Sequence, residues 1–106
     1  MHTKTALENE RIAAYKQTIL AVVAQQIDLH QAVIDRSSRS SEYMLEKKIE
    51  NPKIDLGTKL DEALSQKEEC EKKVSSLANL SITIAITKYQ SISELDKAFA
   101  EEYVKL

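Results

Sequence analysis

Residues 12–34 read Ile-Ala-Ala-Tyr-Lys-Gln-Thr-Ile-Leu-Ala-Val-Val-Ala-Gln-Gln-Ile-Asp-Leu-His-Gln-Ala-Val-Ile, with no Gly or Pro. Ile12, Tyr15, Ile19, Val22, Gln26, Leu29 and Val33 recur at alternating three- and four-residue steps, the spacing of one helical seam. A second set, Ala13, Leu20, Val23, Ile27 and Ile34, runs beside it. At about 100° per residue, the two sets together cover a broad face of the helix. One neighbouring helix covers a narrower stripe, so a face this wide calls for at least two neighbours.

The rest of the composition agrees with helices. The chain has 106 residues, enough for one domain, and its one Gly and one Pro both fall between Asn51 and Gly57. Charged residues make up 30% and hydrophobic residues 42%, with no Trp and one Phe. A core of Ile, Leu, Val and Ala suits helix-to-helix seams.

In chain order, Thr5 and Glu8 have the spacing of a capping box, and the first arm is expected over 5–50. Asp35 to Ser41 interrupts the apolar pattern with four serines, whose hydroxyls compete for backbone groups. Two readings stay open there: a break at 36–41, or a polar stretch of one continuous helix. Asn51-Pro52 ends the arm, because the residue before Pro is pushed out of the helical region. Residues 51–57 form the turn, with Gly57 placed to take positive φ. Thr58, ahead of Asp61 and Glu62, reads as the start of a second arm over 58–105.

Leu80, Ile82, Ile84 and Ile86 alternate with small and hydroxylated residues, the pattern of a strand. Leu77, Leu80, Ile84 and Thr87 also fit a helical step. A strand needs a partner strand, and none is found within the chain, so helix is expected. Ser91 and Glu94 repeat the capping-box spacing, which places a break near residue 90. Ile92, Leu95, Phe99, Tyr103 and Leu106 then form a narrow final stripe.

Folding the chain about Ile54 sets apolar 12–34 opposite apolar 74–96, and polar 35–41 opposite 67–73. The expected fold class is therefore all-α: an antiparallel helical hairpin or a small three- or four-helix up-down bundle, in a single helical domain over 1–106. In a lone hairpin the second arm covers one seam, and Leu20, Val23, Ile27 and Ile34 stay wet on the other. Burying such side chains is worth about 1.5–3 kcal/mol each. The core is accordingly expected to be completed by homodimerisation. The expected interface is Leu20, Val23, Gln26, Ile27, His30 and Ile34, with Gln26 as a polar residue that fixes register.

No motif for catalysis or cofactor binding stands out. His30 has no His, Asp or Glu at a helical step. Cys70 sits among Glu68, Glu69 and Glu71, which disfavour its thiolate. A single Gly rules out a phosphate-cradling loop, and the paired Glu-x-x-His pattern of di-metal bundles is absent. No catalytic residue, metal ligand or cofactor is expected. The net charge of -2, with Lys and Arg dispersed, counts against nucleic-acid binding. The longest apolar run near the N-terminus, Ile19–Ala24, is too short to span a bilayer and lacks the layout of a secretory leader. One cysteine fits a reducing compartment, and a cytoplasmic location is the expectation.

The expected function is that of a non-enzymatic helical assembly protein of the adaptor, chaperone or immunity type. It would act on itself or on a helical protein partner. The alternative is a dimeric nucleic-acid-associated regulator that aligns Arg36, Arg39, Lys47 and Lys48.

Overall fold

A computed structural model of the chain describes residues 2–53 and 55–106, with side chains from Ala6 onward. The described residues form three helices and no strand: α1, His2–Glu50; α2, Gly57–Ile86; and α3, Ile92–Val104. The chain divides into two compact units. One comprises Met1–Gln26 with Ser76–Leu106, and the other Ile27–Ser75.

The first unit holds the early part of α1, the end of α2 and all of α3. Its buried side chains are Ile12, Ile19, Val23, Leu77, Leu80, Ile84 and Leu95. The alternating stretch is helical through Ile86. Leu77, Leu80 and Ile84 are buried, while Ile82 is 59% exposed and Ile86 73% exposed. A strand would have put Leu80, Ile82, Ile84 and Ile86 on one side. The helical period separates them, and tertiary burial overrides the β-branched preference. The threonines adapt by back-bonding: the hydroxyls of Thr83 and Thr87 donate to the carbonyls of Asn79 and Thr83, one turn earlier.

The second unit joins two helical segments through the turn. Helix α1 is continuous across 36–41. The serines do not break it, because Ser37 and Ser41 are buried and the Ser41 hydroxyl donates to the Ser37 carbonyl at 2.8 Å. With Ile34 and Ala63 they form the buried set of this unit, so its two segments meet over mainly small side chains.

The start of α1 and the start of α2 differ from expectation, while α1 ends where expected. Helical backbone begins at His2, ahead of Thr5, whose side chain lies outside the described residues, as do Met1 and Ile54. At the turn, α1 stops at Glu50, before Pro52, and the Asn51 N–H bonds back to the Lys47 carbonyl at 2.8 Å. Gly57 does not take positive φ. It is the first residue of α2, and its N–H donates to Oδ1 of Asp55 at 3.1 Å. Asp55 thus serves the start of the helix, and Thr58 lies inside it.

A Cβ at Gly57 would meet only Asp55 Oδ1, at 3.4 Å, which is ordinary contact. Gly57→Ala is therefore expected to stabilise the protein by about 0.4–1 kcal/mol, by narrowing the unfolded ensemble. Urea denaturation would check it. A loss of stability would show that the glycine is needed for its shape after all.

The break near residue 90 is capped as its sequence suggests. Ser91 is the N-cap of α3, and its Oγ accepts from the Glu94 N–H at 3.2 Å. The Glu94 carboxylate reaches back to the Gln90 N–H at 3.0 Å, one residue beyond the usual capping-box partner.

Candidate interaction surface

The covered side of α1 corrects the expected two-seam division. Taking Val23 as the origin, its buried and half-buried residues between Ile12 and Met44 fall within an arc of roughly 160° at about 100° per residue. That arc is centred between the two apolar sets. Its midline includes Ile12, Lys16, Ile19, Val23, His30, Ile34, Ser37 and Ser41, at three- and four-residue steps or their sums. Each unit thus shields the middle of the wide face and leaves its margins open. Val22 in the first unit and Leu29 in the second, both assigned to the covered seam, are exposed.

The six residues expected at an interface are distributed accordingly. In the first unit Leu20 and Gln26 are half-buried, and Val23 has no exposed surface. In the second, Ile27 and His30 are half-buried, and Ile34 is 8% exposed. The premise that Val23 and Ile34 stay wet in a single copy therefore does not hold. They are enclosed within their own units, and Leu20 and Ile27 are partly so.

The surplus apolar surface lies elsewhere. Ile82 and Ile86 are one turn apart on α2, roughly 160° from the buried Ile84. Asn79, also exposed, continues the same stripe. From Val74 to Thr87 the sequence holds no charged residue, in a chain that is 30% charged. The earlier part of α2 is the contrast. Its exposed side is laced with Lys67–Glu71, Lys72–Glu68 and Lys73–Glu69 pairs at 4.0, 3.4 and 3.5 Å. An uncharged run was visible in the sequence; which of its side chains faced outward was not.

Polar groups in the first unit fix its backbone. The Lys16 ammonium donates to the carbonyls of Ala85 and Thr87 at 2.9 and 2.8 Å. Those carbonyls lie at and just beyond the end of α2, where a cation is favoured. The Tyr15 hydroxyl donates to Asp96 of α3. The carboxylate that accepts this bond keeps the phenol protonated to higher pH than an ordinary tyrosine.

In the second unit an open groove of about 790 Å³ is lined by His30, Ser37, Met44, Glu62 and Cys70, among others. Arg36 and Lys59 share that lining with Glu62 and Glu69, so its charges are mixed. No group of three His, Cys, Asp or Glu side chains among the described residues is placed to hold a metal ion. Of the basic residues of the alternative reading, Lys47 pairs with Glu50 at 3.2 Å, and the Arg39 Nε donates to the backbone carbonyl of Asp35 at 3.4 Å. No helix among the described residues is long and apolar enough to cross a membrane. The chain matches no family model, and comparison with curated proteins and with solved structures finds no similar protein.

Proposed function

We propose that this chain is a non-enzymatic assembly protein that associates with a second copy of itself through the outer face of α2 between Asn79 and Ile86. The observation that supports this reading is the pair Ile82 and Ile86, 59% and 73% exposed within a run that carries no charge. A solvated helix face normally carries charged residues, as the earlier part of α2 does. An uncharged face also suits self-pairing, because two copies meet without like-charge repulsion. Asn79 can form hydrogen bonds at its edge, and an antiparallel two-fold arrangement sets Ile82 against Ile86 of the second copy.

The energetics favour a modest dimer. Burying a fully exposed isoleucine is worth about 1.5–3 kcal/mol; with Ile82 59% and Ile86 73% exposed, four across a two-fold contact give roughly 4–8 kcal/mol. Association itself costs about 4–15 kcal/mol in lost freedom. The dimer should therefore be concentration-dependent, with the other exposed apolar residues of the first unit adding to the contact.

Sedimentation across a concentration series tests the reading. The wild-type chain is expected to shift from monomer to dimer. The double variant Ile82→Glu, Ile86→Glu should remain a monomer with unchanged helical circular dichroism. A wild-type chain that stays monomeric to several hundred micromolar would overturn self-assembly. A dimer that persists in the double variant would place the contact elsewhere.

A further inference from the structure

Helix α3 satisfies its own ends. Ser91 caps its first turn, Glu94 bonds the Gln90 N–H, and the N–H groups of Lys105 and Leu106 donate to the carbonyls of Glu102 and Tyr103. It follows a non-helical stretch from Thr87 to Ser91 that starts where the ammonium of Lys16 holds the Thr87 carbonyl. Its attachment to the rest of the first unit is slight. Leu95 is its one buried residue, and the Tyr15–Asp96 hydrogen bond is its one described side-chain bond to another helix. Along α1 its start shares a small cavity with Glu8, Arg11 and Ile12; its end shares another with Ser76, Asn79, Leu80 and Thr83 of α2.

We propose that α3 is a strap that opens as a unit while α1 and α2 of the first unit stay folded. Undocking gives up the burial of Leu95, that of the half-buried Ala98 and Phe99, part of the cover of Ile12 and Leu80, and one hydrogen bond, while the hydrogen bonds at the ends of α3 stay within it. Once free, a segment of 13 residues is too short to remain helical in water, so opening couples to unravelling. Opening uncovers Ile12 and Leu80, and it clears the side of α2 on which Asn79 and Thr83 meet the strap. Asn79 belongs to the same stripe as Ile82. Asn79 and Thr83 are exposed with the strap in place, so what opening adds is the apolar surface of Ile12 and Leu80; its use in association rests on the assembly reading, although the opening itself does not.

Native-state amide hydrogen exchange on the full chain tests this. Amides of residues 95–104 are expected to exchange at least about a hundredfold faster than those around Val23 and Ile84, as subglobal opening requires. Tyr15→Phe should speed exchange in α3 a further three- to tenfold or so, and leave the protected amides of α1 and α2 unchanged. Leu95→Ala should speed it about thirtyfold or more. If the amides of α3 share one opening free energy with those of α1 and α2, the strap is overturned. It is equally overturned if Tyr15→Phe accelerates all three helices alike. At submicromolar protein, where the chain is expected to be monomeric, Ile82→Glu should not alter exchange in α3, so the strap and the self-assembly can fail independently.

Discussion

Ile84→Ala should lower the unfolding free energy by about 2–5 kcal/mol, while Ile82→Ala, two residues earlier, should change it by less than about 0.5 kcal/mol. The contrast comes from burial alone. Ile84 has no exposed surface, whereas Ile82 is 59% exposed. Removing a fully buried branched side chain loses its transfer energy and leaves a cavity that the neighbours, Leu80 and Leu77 among them, fill only in part. Removing one that already faces water loses little. Both variants should be unfolded in urea at submicromolar protein, so that association does not enter the comparison. In a strand the two isoleucines would share a face and behave alike. Equal destabilisation would thus reject both the helix over this stretch and its orientation.

Ser41→Leu is the second large effect expected, a loss of about 1–3 kcal/mol from overpacking. Ser41→Ala should be close to neutral. The hydroxyl bonds only to the Ser37 carbonyl, which already belongs to the helix, and alanine is the better helix former. Both serines are buried in a unit whose other covered residues are Ile34 and Ala63. Where small side chains from two segments meet, an added isobutyl group has no space without a backbone shift. Thermal melts of the two variants would decide it. A leucine that stabilises would show that the serines border open solvent rather than the opposite segment.

These two cases mark what the residues disclosed and what they concealed. The helical class was legible because breakers are so few: Pro52 and Gly57 are the only Pro and Gly, and no helix crosses them except at its first residue. Ser91 was legible as a cap from its spacing to Glu94. The covered direction of α1 was not. An apolar arc broader than its cover does not say which part is shielded, and here the shielded midline includes Lys16, His30, Ser37 and Ser41. Following only greasy residues led to two flanking stripes. Continuing the three-and-four spacing through the serines would have led to the one between them. The role of Lys16 lay further out of reach, since its carbonyl partners sit some seventy positions away and depend on the packing of α2. Gly57 misled for a different reason: a glycine after a turn commonly adopts positive φ, but this one begins a helix already served by Asp55.

The ion pairs between described side chains, from Lys47–Glu50 to Lys105–Glu102, each join residues three or four apart on one helix. None of them bridges two helices. Raising ionic strength should therefore soften individual helix surfaces by tenths of a kcal/mol, at about the level of exposed local pairs, without loosening the tertiary packing. The forces that hold the helices to one another are mostly those that weaken on cooling, so chilling rather than brine is the stress to which this molecule is most exposed.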